Sequence, residues 1–223
     1  MTPTAPPPAG PEGPSAGAGK GSRPGGIRQA GLPGASPEPG GILPWEFIGD
    51  EEVLATPVFT VLSRSAVSPK DGQVKAFSVL GAPLWANILA LDPKGRVVMV
   101  RQYRHGSRSF CLELPGGMVG PGETPVEAAL RELKEETGYF APAAEELVSL
   151  NPNPALFGNS ITTAVAVGAA RSGETSFDDN EEAETVLVTV AELEGLFRSG
   201  ALSHALMLAA IGYFLAVKDR YLK

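Results

Sequence analysis

The sequence is poor in the residue types that crosslink small domains or bind structural zinc. Among its 223 residues are one cysteine, Cys111, and two histidines, His105 and His204. A single cysteine cannot form a disulfide within the chain, and these three residues are too few for a structural zinc site. The composition therefore excludes a disulfide-stabilised domain and a zinc finger.

Long apolar runs and basic clusters are also missing. The longest apolar stretch, Ala205 to Val217, has 13 residues, whereas a membrane-spanning helix needs about 20. Acidic residues outnumber basic ones by 25 to 18, which gives a net charge of −7, and no two basic residues are adjacent. This balance disfavours binding to the phosphate backbone of nucleic acids. We therefore expect a cytoplasmic protein that binds neither nucleic acid nor membranes.

The first 41 residues differ in composition from the rest of the chain. Proline, glycine, alanine and serine supply 30 of them, and the only large apolar residues are Met1, Ile27 and Leu32. Such a segment cannot bury enough apolar surface to offset the entropy lost on ordering. We predict a disordered tail over residues 1–41 and one folded domain over residues 42–223. A targeting presequence is the alternative, although the segment has no apolar core.

The domain alternates short β-rich runs with helical patterns, which is typical of an α+β sandwich. Residues 92–95, with the sequence Asp-Pro-Lys-Gly, predict a hairpin turn. The predicted strands cover residues 58–62, 74–80, 85–91, 97–103, 110–114, 161–167 and 186–190, and the predicted helices cover residues 125–137, 191–198 and 203–223.

One predicted helix, residues 125–137, has well-defined ends and an acidic edge. Thr124 to Glu127 form a capping box with proline at the first helical position, and Gly138 supplies a left-handed end. On a helical wheel with Glu132 at zero, Glu136 lies at about 40° and Glu135 at about −60°, next to an apolar stripe at about 60° to 160°. The three carboxylates therefore border the buried face.

An acidic cluster on a helix is often only a solvated face. Here the glutamates border the core, and like charges at these spacings destabilise a helix unless a cation neutralises them. Oxygen ligands favour a hard ion such as Mg²⁺ or Mn²⁺. Arg131 points about 100° away from Glu132 on the wheel, so we assign it to orienting Glu123 or Glu135 rather than to substrate.

Residues 117–139 resemble the Nudix box, and every defined position of that pattern is filled at the correct spacing. The matching residues are Gly117, Glu123, Arg131, Glu132, Leu133, Glu135, Glu136, Gly138 and Tyr139. The resemblance implies a Nudix fold, in which a mixed β-sheet lies between helices, together with an N-terminal antiparallel sheet. It also implies metal-dependent hydrolysis of a nucleoside diphosphate derivative.

Further segments resemble the ADP-ribose pyrophosphatase branch of this family. They are residues 101–104, residues 113–117, residues 181–184 and Pro154, which lies fifteen positions after Tyr139. Many members of the branch have Ser-Pro-Gly around that proline, whereas this chain has Asn-Pro-Ala at residues 153–155. The resemblance implies ADP-ribose as substrate, with AMP and ribose 5-phosphate as products, and another nucleoside diphosphate sugar is the alternative.

The residue pattern and the resemblance together give a candidate site. Glu132 and Glu136 are the principal metal ligands for Mg²⁺ or Mn²⁺, and Glu135 completes the catalytic cluster directly or through water. The resemblance adds the Gly116 carbonyl and Glu184 as ligands and Glu182 as the catalytic base, with Glu181 as the competing base. The residues assigned to substrate are Arg104 and Gln102, which share one face of a predicted strand, and Met118.

Two further expectations concern assembly and function class. Relatives in this branch commonly pair their N-terminal sheets, so the resemblance implies a homodimer. A Nudix domain that binds a ligand without catalysis is the hypothesis from a different class. The complete set of box glutamates favours the enzyme, although a fold alone does not establish activity.

Overall fold

The computed structural model describes residues 41–176 and 182–222. Within these residues the elements follow the expected α+β pattern. The strands are β1 Glu46–Ala55, β2 Thr60–Val67, β3 Val74–Gly81, β4 Trp85–Leu91, β5 Arg96–Arg104, β6 Ser109–Glu113, β7 Gly116–Met118, β8 Tyr139–Phe140, β9 Glu145–Leu150, β10 Ile161–Val167, β11 Ala170–Arg171 and β12 Ala183–Thr189. The helices are α1 Pro125–Thr137, α2 Val190–Ser199 and α3 Ala205–Val217, and a 3₁₀ turn, Lys218–Arg220, follows α3.

The first three strands form the expected N-terminal antiparallel sheet, in the order β1-β2-β3. The sequence pattern missed β1, which is largely exposed and has two register shifts against β2. The predicted strand over residues 58–62 begins later, at Thr60. Its first residues belong to a turn in which the Thr56 N–H donates to the Phe59 carbonyl at 2.9 Å.

The main sheet is mixed, with the order β12-β5-β4-β10-β9. Strands β4 and β10 are parallel, whereas β4 and β5 are antiparallel. The β4–β5 register contains only the pairs Ala90–Val98 and Leu91–Val97, which flank the predicted turn over residues 92–95. Beyond these pairs the strands diverge, because β5 continues against β6 and β4 continues against β7. The divergence opens a cleft in the sheet.

Helices cover both faces of the main sheet, as expected for the Nudix fold. Alternate residues of β4 face opposite sides. Ala86, Ile88 and Ala90 pack with Ala129 and Leu133 of α1. On the other face Leu89 and Leu91 join a cluster that includes the buried side chains of α2 and α3. The two apolar clusters hold α1 and α3 on either side of the strands that border the cleft.

Helix α1 has the predicted bounds and caps. The Thr124 side chain accepts from the Glu127 N–H, the Glu127 side chain accepts from the Thr124 N–H, and Gly138 has a left-handed conformation with φ of 69°. A Cβ atom at Gly138 would lie 2.4 Å from the Gly173 carbonyl oxygen. Glycine is therefore required there both by the dihedral angle and by the chain that returns past the end of α1.

The later elements differ from their predicted bounds. Helix α2 begins at Val190, which the sequence pattern assigned to the preceding strand, because Thr189 forms a capping box there. Helix α3 begins at Ala205 rather than Ser203, because the His204 side chain caps it, and it ends at Val217. Strand β9 was not predicted. Among the described residues, no helix is long and apolar enough to span a membrane.

Candidate active site

The divergence of β4 and β5 creates a cleft of about 1320 Å³. It is lined by residues from β4, β5, β6, β7 and α1 and by the segment that leads into α3. Of the predicted site residues that the structure describes, all but Glu184 line this cleft. These lining residues are Gln102, Arg104, Gly116, Met118, Glu132, Glu135, Glu136 and Glu182. A smaller cavity of about 420 Å³, at residues 56–60 and 81–83, has no titratable side chain in its lining.

The α1 glutamates enter the cleft at different depths. The Glu136 residue is 7% exposed, and the Glu132 side chain is 14% exposed. Glu135 lies nearer the mouth, with 43% of its side chain exposed. The Gly116 N–H donates to Glu136 Oε2 at 3.0 Å, so β7 fixes the position of the deepest carboxylate.

Arg131 links the acidic residues of the box. Its Nε atom donates to Glu123 at 2.8 Å, and its Nη1 atom donates to Glu132 at 2.8 Å and to Glu135 at 2.9 Å. Its Nη2 atom also donates to the Met118 carbonyl. The predicted contacts of Arg131 with Glu123 and Glu135 are therefore present, and the contact with Glu132 is an additional one. The guanidinium positions the cluster from its solvent side.

This network shifts the ionisation of its members. The hydrogen bond from Arg131, followed by the Gly120 N–H, lowers the pKa of Glu123 below its ordinary value despite partial desolvation. The same bond with Glu123 is the largest cause of the raised pKa of Arg131. Both residues are therefore charged throughout the neutral range. The carboxylates of Glu123, Glu132 and Glu135 all pair with this one guanidinium, so acidic groups outnumber basic ones in the cluster.

Two glycines next to the cluster lie where a side chain would clash with its neighbours. A Cβ atom at Gly117 would lie 2.4 Å from Glu132 Oε1, so a side chain there would displace the carboxylate. A Cβ atom at Gly116 would lie 2.4 Å from the Ala86 carbonyl oxygen. The N–H groups of Ile88 and Val119 bond across the β4–β7 pair on either side of Gly116. By the alternation of an antiparallel ladder, the Gly116 carbonyl then points away from β4 and towards the cleft.

Arg104 and Gln102 both contact a buried carboxylate on the floor of the cleft. Arg104 donates to Glu113 through Nε at 3.0 Å and through Nη2 at 2.6 Å, and Gln102 Nε2 lies 3.4 Å from the same carboxylate. The Glu113 side chain is 2% exposed, and its hydrogen bond raises the pKa of Arg104 despite partial burial. Strand β5 therefore presents both side chains on one face, as predicted, and the Nη1 atom of Arg104 lies outside the pair with Glu113.

Glu182, in the loop before β12, and Glu184, in β12 itself, have different positions. Glu182 lines the cleft with the α1 glutamates. Glu184 lies opposite Arg101 in the β12–β5 register, its carboxylate is 3.7 Å from Arg101, and 70% of its side chain is exposed. Glu181, the competing candidate for the base, lies outside the described residues. The Ser176 N–H donates to the Glu135 carbonyl at 2.8 Å, which anchors the start of this loop to α1.

The sequence analysis gave no role in the site to several residues that line the cleft. It quoted Glu113 only as part of a motif, and it gave no role to Asn87, whose side chain is buried in the cleft lining. Trp85 also lines the cleft and packs against Phe157, with ring centroids 5.7 Å apart. Cys111 is buried, and it too lines the cleft. A polar residue within the apolar run of β4 was the available signal for Asn87.

Comparisons with known proteins agree with this fold. The model of the NUDIX domain family matches residues 83–211, more than half of the chain. A Bacillus subtilis protein named ADP-ribose pyrophosphatase is 26% identical over 74% of this chain and 90% of its own length. A Bacillus methanolicus protein named methanol dehydrogenase activator is 31% identical over 55% of this chain, and the match spans 66% of that relative. A crystal structure of an ADP compounds hydrolase superposes with a TM-score of 0.70 and 23% identity, covering 81% of this chain and 97% of that one.

The chain therefore belongs to the NUDIX family. The fold predicted from the box is confirmed, as is the expectation of a Nudix pyrophosphohydrolase that resembles ADP-ribose pyrophosphatases. Hydrolases of this family generally need a divalent metal.

The residues of the cleft fit such an ion. Within the described part of the chain, no three His, Cys, Asp or Glu side chains are gathered closely enough to hold a metal by themselves. A backbone oxygen can add to the carboxylate donors, and Gly116 lies next to Glu136, which accepts from its N–H. Carboxylate and carbonyl oxygens suit a hard divalent cation, and the excess negative charge favours it.

Proposed function

We propose that the protein hydrolyses the diphosphate linkage of ADP-ribose to AMP and ribose 5-phosphate, using Mg²⁺, with Mn²⁺ as the alternative ion. The observation that carries the proposal is the convergence of three groups in one cleft. The α1 carboxylates, the candidate base Glu182 and the cationic Arg104 all line it. These are the groups that hydrolysis of a charged diphosphate requires.

Each residue has a separate role in the proposed reaction. Glu132, Glu136 and the Gly116 carbonyl would hold the cation, and Glu135 completes the cluster directly or through water. When bound, a divalent cation neutralises charge on the diphosphate. Glu182 accepts a proton from water as the water oxygen forms a bond to one phosphorus of the diphosphate. The bond between that phosphorus and the bridging oxygen breaks, and the other phosphate leaves with the bridging oxygen. Glu184, which the family resemblance also implies as a ligand, would have to leave Arg101 to take part.

The substrate assignment has support from both the site and the relatives. The cleft is large enough for a dinucleotide-like ligand. Arg104 Nη1 is placed to bind a phosphate oxygen or the terminal ribose, and Gln102 and Met118 complete the proposed contacts. The named activity of the Bacillus subtilis relative agrees with ADP-ribose.

A substrate panel tests the assignment. We expect kcat/KM for ADP-ribose to exceed the values for ADP-glucose, GDP-mannose and diadenosine polyphosphates, with AMP and ribose 5-phosphate as the only products. A competitor turned over tenfold better than ADP-ribose would overturn the substrate assignment while leaving the hydrolase class intact.

The proposal extends to organisation and location. We propose that the protein acts as a cytoplasmic homodimer, that residues 1–41 lie outside the catalytic domain, and that its partner molecules are nucleoside diphosphates rather than nucleic acids or membranes. The support is the tail's composition, the family resemblance and the exposed apolar residues of the N-terminal sheet.

A further inference from the structure

Asn87 is a buried polar residue whose side chain has no hydrogen-bond partner among the described residues. It is 2% exposed, and neither its amide nitrogen nor its amide oxygen is bonded. The side chains of Asn151 and Asn159 are bonded differently. Those amide nitrogens donate to the carbonyls of Phe157 and Pro83, respectively, and only their oxygens lack partners. A wholly unbonded buried amide is destabilising, so its presence needs an explanation.

The position of Asn87 connects it to the reaction centre. It lies in β4 directly opposite Gly116, whose N–H bonds Glu136. Gly116 has no side chain, and a Cβ atom there would lie 2.6 Å from the Asn87 Cβ atom. The two strands therefore approach each other too closely here for a side chain at residue 116, and Asn87 lies directly beside the peptide that bonds Glu136. Asn87 also lines the cleft. Its enclosed amide therefore lies just beneath the cleft surface, next to the proposed cation site.

The neighbours of Asn87 narrow the chemistry of its ligand. Trp85 lies two residues earlier on the same face of β4 and pairs with Ile161 and Met118 in the adjacent strands. All three line the cleft. The amide therefore lies at the end of an apolar wall. An amide offers both a donor and an acceptor, as does a hydroxyl group, and the carbon faces of a sugar ring suit an apolar wall.

We propose that Asn87 is a specificity-determining residue that hydrogen-bonds a ribose hydroxyl of the substrate, on the sugar directly attached to the diphosphate. This inference rests on the proposed function. A nucleobase is separated from the diphosphate by a sugar, whereas Asn87 is opposite Gly116 itself. A hydroxylated ring beside the diphosphate is thus the group that this position can reach. ADP-ribose has two such sugars, one in the adenosine and one at the terminus.

The experiment compares ADP-ribose with two analogues, each lacking both the 2-hydroxyl and the 3-hydroxyl of one ribose. For the wild-type enzyme we expect one analogue to lose about 10²-fold or more in kcat/KM, because a site built to bind a hydroxyl rejects a ligand without it. The analogue that loses rate identifies the sugar. If both analogues match ADP-ribose, the proposal is wrong, whatever any variant does.

Asn87→Leu supplies the second arm, since leucine has a similar volume and no polar atoms. We expect the variant to lose the same factor on ADP-ribose and to stop distinguishing the analogues, while its apo thermal midpoint stays the same or rises. The control is Asn151→Leu, which removes a bonded amide outside the cleft. It should lower the midpoint and keep the wild-type substrate ratio.

The opposite pattern is expected if an enclosed water bonds the Asn87 amide and the residue has only a structural role. Asn87→Leu would then lower the midpoint as Asn151→Leu does and would keep the wild-type ratio, which would overturn the proposal. Calorimetric binding of ADP-ribose and both analogues, with chelator present, gives the same ratio without turnover. Absence of ADP-ribose hydrolysis by the wild type would therefore count against the proposed function, while the binding ratio would still decide the role of Asn87.

Discussion

Arg131 and Glu132 are neighbours in the sequence, and Arg131 Nη1 lies 2.8 Å from Glu132 Oε1. The same nitrogen lies 2.9 Å from Glu135, one helical turn further on. Arg131 therefore supplies part of the neutralisation that the acidic pattern required. It does so from the solvent side, whereas Glu136 lies deeper and accepts from the Gly116 N–H.

The first prediction concerns Arg131. Arg131→Gln removes the positive charge that pairs with Glu123, Glu132 and Glu135. The free energy of unfolding without metal should therefore fall by about 1–3 kcal/mol. Denaturant titration measures this change. Arg198→Gln is a matched control, because Arg198 pairs with Glu194 at the same spacing on α2 but is 75% exposed; its cost should be about 0.5 kcal/mol or less. Equal losses in the two variants would contradict the positioning role.

The second prediction is a pH dependence. Arg131 lowers the pKa of Glu123 in the folded chain below the ordinary value of 4.5. As the pH falls, the Glu123 carboxylate is therefore protonated in the unfolded chain before it is protonated in the folded chain. The contribution of Glu123 to stability is then fully present above about pH 4.5 and is lost as the pH falls through the folded-state pKa. The stability difference between the wild type and Glu123→Gln should be constant from pH 7 to about pH 5 and shrink below it. A difference that grows on acidification would contradict this account.

The third prediction concerns the pair beneath the substrate. Glu113→Gln leaves the Arg104 guanidinium without its bidentate partner, so the free energy of unfolding should fall by about 1–3 kcal/mol, less than for a fully buried pair because Arg104 is half exposed. Since Arg104 is also no longer held in place, KM should rise more than kcat falls. Steady-state kinetics and denaturation together measure both effects. Unchanged stability and unchanged KM would show that the pair has neither role.

The local parts of this fold and site were predictable from sequence. Helix α1 was predicted with the bounds seen in the structure because Thr124, Pro125 and Gly138 encode its ends within a few residues. Strand β1 was missed because most of its residues are polar or exposed, and pairing with β2 rather than burial defines it. Its strand character depends on contacts that a local pattern does not show.

The missed parts of the site depend on long-range pairing. The positions of Asn87 and Glu113 in the cleft follow from the divergence of β4 and β5, which brings β6 and β7 into the sheet. The position of Glu184 follows from the β12–β5 register, which places it opposite Arg101 rather than in the cleft lining. Spacing along the chain does not contain either relationship.

The fourth prediction concerns assembly. Trp45, Phe47 and Phe77 are exposed aromatic residues of the N-terminal sheet region, and exposed aromatic residues are enriched at protein interfaces. We expect light scattering at micromolar concentration to give about twice the chain mass of 23.1 kDa. Phe77→Asp should shift the protein to monomer. Val74→Asp is the control on the opposite face of β3. A monomeric wild-type protein would reject the homodimer.

Cation-dependent hydrolysis at the α1 carboxylates is tested by measuring the ADP-ribose turnover of Glu136→Gln, with Glu127→Gln as the control. Both variants are assayed in Mg²⁺ and in EDTA. Glutamine keeps the capping box at Glu127, so this control should retain wild-type turnover in Mg²⁺ and lose it in EDTA. Glu136→Gln should lose several orders of magnitude of kcat in Mg²⁺, while its apo thermal midpoint stays the same or rises slightly. Full wild-type turnover in EDTA, or Glu136→Gln as active as Glu127→Gln, would contradict the account.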